Sequence, residues 1–398
     1  MKKKFLFMGI FFIMIAMIAG CGTAGNYDRN GKISFTNGDY EKAAASFAAA
    51  VKANPNRADY YIDYGMSLIA LGKYDEALAQ FDLAYVDKDM LIIRENNKRA
   101  LRGKGIAYYH MLQYDKAIKV FKSALKIDEL TDLDMDILYY MADSLYTTGS
   151  YKEAAVSYSS ILAKDKKAAI AYSKRALCYQ KLGEYDKSSA DYDSAISLEP
   201  DNYEYYFGKY YLMAENKNEA GALEVLKKAE AIKAATSEDQ YNLAKLHYFE
   251  GDYDTALSEL SEGYTNGFVE AYYYIGEIYR IQKDYAKAIY YYQAYIDGKT
   301  VTSPNVYNQI AVCMLKKDQG KDALEYLEQG LAYNDAGTMQ VLKKNEIIIY
   351  EKMGKYKDAK QKLEEYLKNY PKDSLAAREA EFIASRVDAA VTIVNSNE

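Results

Sequence analysis

The chain has 398 residues, half of them apolar, with 44 Tyr, 12 Phe, no Trp and only 4 Pro. Its 51 basic and 57 acidic residues, formal net charge −6, form no block of like sign, which argues against nucleic-acid binding through clustered Lys and Arg. Two His and three Cys leave little material for a metal centre or a nucleophilic triad.

The first element is a basic head (Lys2, Lys3, Lys4), an uncharged run from Phe5 to Gly20, and Cys21. Sixteen residues are short for a membrane span and typical of the apolar core of a secretion signal. Ile18-Ala19-Gly20-Cys21 resembles the lipobox of bacterial lipoproteins. That resemblance implies cleavage after residue 20, diacylation of the Cys21 thiol and a lipid anchor on the extracytoplasmic face of the cell membrane. Acyl chains bind a bilayer at about 0.8 kcal/mol per buried methylene, so two chains hold firmly. Of the 51 basic residues, 48 remain against 57 acidic ones once the three lysines are cut away. An anionic bilayer would repel such a chain, so attachment rests on Cys21. The first helix is expected near Tyr27, beyond a short tether.

From there one phrase recurs: GDYEKAAASF (38–47), GKYDEALAQF (72–81), LQYDKAIKVF (112–121), GSYKEAAVSY (149–158), GEYDKSSADY (183–192), GDYDTALSEL (251–260), KDYAKAIYYY (283–292) and GKYKDAKQKL (354–363). A small residue stands three positions after Tyr and a large apolar one four positions later, which is one stripe of a helix. The small position holds Ala43, Ala77, Ala117, Ala154, Ser188, Ala256, Ala288 and Ala359, with Ala222 and Ala323 in degenerate copies. Twelve residues upstream another small residue (Gly31, Gly65, Gly105, Ala142, Ala176, Ala244, Gly276 or Ala311) predicts a preceding helix. These two small positions are expected to face each other. Gly38, Gly72, Gly149, Gly183, Gly251 and Gly354 suit the left-handed stop of that first helix. All four prolines (Pro55, Pro200, Pro304, Pro371) fall between predicted units, where a missing N–H costs least.

This pattern resembles the tetratricopeptide repeat family, a 34-residue helix–turn–helix. The resemblance covers about residues 24–373 in ten units and implies an all-α, right-handed superhelical solenoid. Residues 1–20 are then a signal peptide and 21–23 a lipidated tether. The segment 374–398, with Ala376, Ala380, Ile383 and Val387 on one stripe, reads as a capping helix and tail. Three departures stand out. The stretch 86–97 carries six extra residues, Tyr210 and Ile347 replace a small residue, and Gly320 replaces the Tyr of the ninth phrase.

Catalytic chemistry finds no support. Neither Cys-x-x-Cys, His-x-x-x-His nor a glycine-rich phosphate loop is present. His110 and His247 lack an evident acid–base partner, Asp132, Asp134 and Asp136 read as a solvated turn, and Cys178 and Cys313 read as buried thiols. No catalytic residue, cofactor or metal is expected.

In the family, the first helix of each hairpin lines a groove. Carrying its groove positions onto this chain gives Tyr109, His110, Tyr139, Tyr146, Phe207, Tyr211, Tyr241, Tyr248 and Tyr273, with Arg102, Lys245 and Arg280 among the charges. Tyrosine combines area, a polar tip and low ordering entropy, which suits recognition. The reading is a non-enzymatic adaptor or scaffold in the cell envelope that binds a protein or peptide, neither nucleic acid nor metal, through this face. A glycan-binding surface lipoprotein is the alternative, since aromatic faces also stack on sugars. Asp28 and Lys32 occupy the places of the Lys and Asn that form the carboxylate clamp of some chaperone-binding relatives, so that ligand is not indicated.

Overall fold

A computed structural model describes residues 23–265, 267–298, 304–333 and 335–396. The expected signal segment and Cys21 lie outside the described residues. Among those described there are 21 α-helices, one short 3-10 turn and no strand. The helices are α1 (Thr23–Thr36), α2 (Tyr40–Ala53), α3 (Ala58–Ala70), α4 (Tyr74–Ala84), α5 (Leu91–His110), α6 (Tyr114–Ala124), α7 (Asp134–Thr147), α8 (Tyr151–Lys164), α9 (Ala169–Lys181), α10 (Tyr185–Leu198) and α11 (Tyr203–Glu215). They continue with α12 (Glu219–Ala229), α13 (Ser237–Glu250), α14 (Tyr253–Thr265), α15 (Glu270–Ile281), α16 (Tyr285–Asp297), α17 (Asn305–Leu315), α18 (Gly320–Ala332), α19 (Ala336–Lys352), α20 (Tyr356–Asn369) and α21 (Ser374–Ser396). The first begins at Thr23, four residues before the expected Tyr27. In all eight phrases the Tyr is the first residue of the second helix.

The chain divides into two compact units, one through Val225 and one from Leu226. In the first, α1–α2, α3–α4, α5–α6, α7–α8 and α9–α10 pack as hairpins, and α11 packs on α10 and α9. In the second, α13–α14, α15–α16, α17–α18 and α19–α20 do the same, and α21 lies on α20. First helices of neighbouring repeats also touch, α3 on α5 and α17 on α19 among them. The fold is therefore an all-α repeat solenoid in each unit.

Both stripe positions of the phrase are core. Every small residue from Ala43 to Ala359 is buried, and so is every large one, from Phe47, Phe81 and Phe121 through Tyr158, Tyr192 and Tyr292 to Leu363. Burying such a side chain stabilises by about 1.5–3 kcal/mol. The upstream small residue faces the second helix: in the fifth repeat Ser188 donates to Ala176 O across the two small positions (2.8 Å), and elsewhere a large ring lies against it as well. A Cβ on Gly31, Gly65, Gly105 or Gly276 would lie 2.6, 2.7, 2.3 or 2.7 Å from the ring of Phe47, Phe81, Phe121 or Tyr292, sixteen residues on. The first helix thus gives up a side chain to admit an aromatic ring of the second. Phe81 is clasped on a second side, where a Cβ on Gly103 of α5 would come within 2.3 Å of it.

The six expected glycines all carry positive φ, from 71° to 87°. At each junction the chain closes with the six-to-one bond of a Schellman turn, as from Lys73 N to Leu68 O (2.9 Å). Leu112, Lys217, Lys283 and Asp318 adopt the same left-handed conformation where no glycine is available. The extra residues at 86–97 form a short extended link and lengthen α5 to 20 residues. Asn97 fastens the link, donating to Val86 O (2.7 Å) and accepting from Val86 N (3.0 Å). On α21, Ala376 and Ile383 are buried, with Ala380 and Val387 packed beside them. No described helix is long and apolar enough to cross a membrane.

Candidate ligand-binding face

The groove-position residues lie on first helices, and packing decides how much of each a ligand could reach. In the first unit Tyr109 is half-buried, edge-on to Tyr140 (5.1 Å), Tyr114 (5.7 Å) and His110 (5.5 Å). His110 is exposed on one side and stacks on Tyr74 at 5.6 Å. Burial lowers its pKa, so the neutral ring prevails at neutral pH. Tyr139 and Tyr146 are half-buried, against Tyr158 (6.4 Å) and Tyr151 (5.3 Å). Burial, with Asp165 and Asp143 nearby, pushes the Tyr139 phenol up to about 12, so it acts as a neutral donor or acceptor. Of the groove-position tyrosines Tyr211 is the most open, at 46% exposure.

In the second unit Tyr248 and Tyr273 are half-buried. Tyr248 lies edge-on to Tyr274 (5.2 Å), and Tyr273 sits against Tyr292 (5.9 Å) and Tyr295 (5.8 Å). The Lys245 ammonium stands over the rings of Tyr241 and Tyr274 at 5.6 and 5.9 Å, within cation–π range.

Two expected residues are core. Phe207 is 4% and Tyr241 7% exposed. Tyr241 stacks flat on Phe268 at 4.9 Å and lies against Gly263 of α14, filling the space before α15. Phe207 lines up with Tyr203 at 6.4 Å, one turn away on α11. Each serves inter-helix packing and offers a ligand little surface.

The charges are largely satisfied within the fold. Arg102 Nε donates to Asp136 Oδ2 (2.5 Å), tying α5 to α7. Asp134 holds Lys98 (2.7 Å) and Lys164 (3.0 Å), so the acidic turn at 132–136 is an ion-pair hub. Arg280 donates to Glu277 (2.7 Å), which also accepts from the buried Tyr292 hydroxyl (2.5 Å). Asp28 and Lys32 pair with each other (2.8 Å), and buried Asp63 lies between Lys32 (3.6 Å) and Arg99 (3.1 Å). Cys178 and Cys313 are buried and unpaired. Burial pushes both thiols up to about 12, which makes them poor nucleophiles.

The sequence reading missed one group. His247 does have an acidic partner, since its Nδ1 lies 2.7 Å from Glu259 on α14. Its signal was the twelve-residue offset that already related facing positions of a hairpin. Glu250, one turn after His247, and Glu230, following α12, converge on the same imidazole. Burial and then the Glu230 charge push the Glu250 carboxyl up to about 7.

Comparison with known proteins agrees with this architecture. Tetratricopeptide repeat models match residues 30–90, 102–169, 169–202, 241–300 and 348–373. The Hsp70-Hsp90 organizing protein of Triticum aestivum is 27% identical over 198 residues, 43% of this chain and 34% of that protein. A DnaJ homolog subfamily C member 7 homolog of Dictyostelium discoideum is 25% identical over 170 residues, 41% and 32%. The chain thus spans about a third of the length of these relatives. Among solved structures, a tetratricopeptide repeat protein from Parabacteroides merdae superposes with a TM-score of 0.50 at 18% identity, over 63% of this chain and 98% of that one. Yeast Tom70 superposes with 0.51 at 16% identity, over 94% and 89%. At such identities these structures show the fold alone. Family models matching more than half its length, on top of ten copies of one helical phrase, mean that this chain belongs to the tetratricopeptide repeat family.

Proposed function

We propose that this protein is a non-enzymatic scaffold that binds a protein or peptide through the first-helix face, and that a lipid on Cys21 holds it on the extracytoplasmic side of a cell membrane. The carrying observation is that Tyr109, Tyr139, Tyr146, Tyr248 and Tyr273 are half-buried, each ring held by a neighbouring ring. Rings fixed before a ligand arrives lose little entropy on binding. The organising role of the wheat relative belongs to that protein, and kinship with it supports protein binding in general. The basic head, apolar run and Gly20-Cys21 supply the support for the anchor. With α1 starting two residues after Cys21, the first repeat would stand beside the bilayer.

Protein lacking residues 1–21 should bind members of a peptide array, and Tyr139→Ala should reduce that signal while leaving helical circular dichroism intact. Binding to glycans and to no peptide would overturn the adaptor reading. The anchor is tested separately by the mass of the mature N-terminal peptide, where Cys21 without added acyl mass would contradict it.

A further inference from the structure

We propose that Glu230, His247 and Glu250 form a binding site for a divalent transition metal, of which Zn²⁺ is the model ion, with Glu259 as the outer carboxylate that orients the imidazole. One donor atom from each of the three lies within 4.8 Å of the others. The donors come from separate pieces of chain. Glu230 follows α12, whereas His247 and Glu250 stand at i and i+3 on the last turn of α13. Residues at that spacing share a helix face. The last turn also carries the negative end of the helix dipole, which favours a cation.

The imidazole is already set for ligation. Glu259 engages Nδ1 at 2.7 Å, which leaves Nε2 as the metal-binding nitrogen. A carboxylate behind a ligating histidine is the usual outer partner that fixes its tautomer and ring angle. Glu250 presents a second cue, because its Oε1 is shut off from solvent and has no hydrogen-bond partner. Two carboxylates this close repel unless a shared proton or a cation lies between them. A divalent ion would cancel the Glu230 and Glu250 charges.

The donor set selects the class of ion. One nitrogen and two carboxylate oxygens suit Zn²⁺ and its first-row neighbours, while Ca²⁺ takes six to eight oxygens. Zinc bonds of about 2.0–2.2 Å put tetrahedral ligands about 3.4 Å apart. Rotation of the exposed Glu230 side chain closes the present spacing, and water would complete the shell. Such an ion would clip the turn after α12 to the end of α13.

The test uses full-length protein in detergent, stripped with chelator and titrated with ZnCl₂ by calorimetry. One saturable site and a higher melting temperature are expected. Glu230→Gln, at an exposed position that leaves the helices intact, and His247→Ala should each weaken binding at least tenfold. Glu259→Ala should weaken it by about 10–100-fold. CaCl₂ at the same concentrations should give no binding heat. Absence of zinc binding, zinc binding unchanged in Glu230→Gln and His247→Ala, or equal binding of calcium would overturn the site.

Discussion

The buried tyrosines at the large position of the phrase show how one hydroxyl must be provided for. Tyr158 donates to Asp143 (2.5 Å) and Tyr292 to Glu277 (2.5 Å), each acid standing one residue after the small position of its first helix. In the fifth repeat Leu177 occupies that place, and the Tyr192 hydroxyl is buried without a partner. A hydrogen bond to a charged group contributes about 1.5–3 kcal/mol, and an unsatisfied buried polar group costs about 1–3. Tyr192→Phe should therefore leave stability unchanged or raise it. Tyr292→Phe should lower it by about 1.5–3 kcal/mol, leaving Glu277, which is 5% exposed, with Arg280 as its remaining partner. Urea unfolding of the two variants reads the difference in sign. The acid–tyrosine pairing was not legible in advance, because the stripe pattern treats Phe and Tyr alike.

At the level of elements, the hairpin junction is a backbone decision that sequence displays well when glycine makes it. Six glycines were readable as stops, whereas Leu112, Lys283 and Asp318 reach φ of 60–63° without one. An L-residue there bears about 1–2 kcal/mol of strain, offset by the greater entropy glycine loses on folding. Leu112→Gly should thus stabilise by about 0.5–1 kcal/mol, observed as a shifted denaturation midpoint at constant m-value. The terminal helix α21 adds a pH dependence. Burial, and then the Glu379 charge on α21, push Glu351 on α19 up to about 7 from an ordinary 4.5. The folded state holds that proton more tightly than the unfolded one, so its stabilisation is complete below pH about 4.5 and lost as pH rises through about 7. Hydrogen-exchange protection along α21, taken relative to the intrinsic rate at each pH, should fall across that window, and Glu351→Gln should flatten the change. Protection of α21 that does not change with pH in the parent protein would contradict this.

For the whole molecule, period and stripe sufficed to read an all-α repeat array, since each hairpin buries its apolar face only against neighbours. The division between Val225 and Leu226 had one visible trace, the misplaced Tyr210 of the sixth repeat. The groove assignment was legible only in part. Family positions say which helix face a residue occupies, and the rings next door say whether it is covered; Tyr241 and Phe207 were lost to core filling for that reason. The central claim is that the remaining first-helix tyrosines are a recognition surface. Truncating a packed aromatic costs about 3–5 kcal/mol of stability, a surface one usually under about 0.5, and a ligand anchor about 2 kcal/mol or more of binding. The most direct test takes a peptide selected on an array by the parent protein and measures its affinity and the melting temperature for Tyr211→Ala and Phe121→Ala. Tyr211→Ala should weaken the peptide about 30-fold with melting nearly unchanged, and Phe121→Ala, at a fully buried ring, should lower melting sharply. Undiminished affinity in Tyr211→Ala, or melting lowered as far as in Phe121→Ala, would contradict the account.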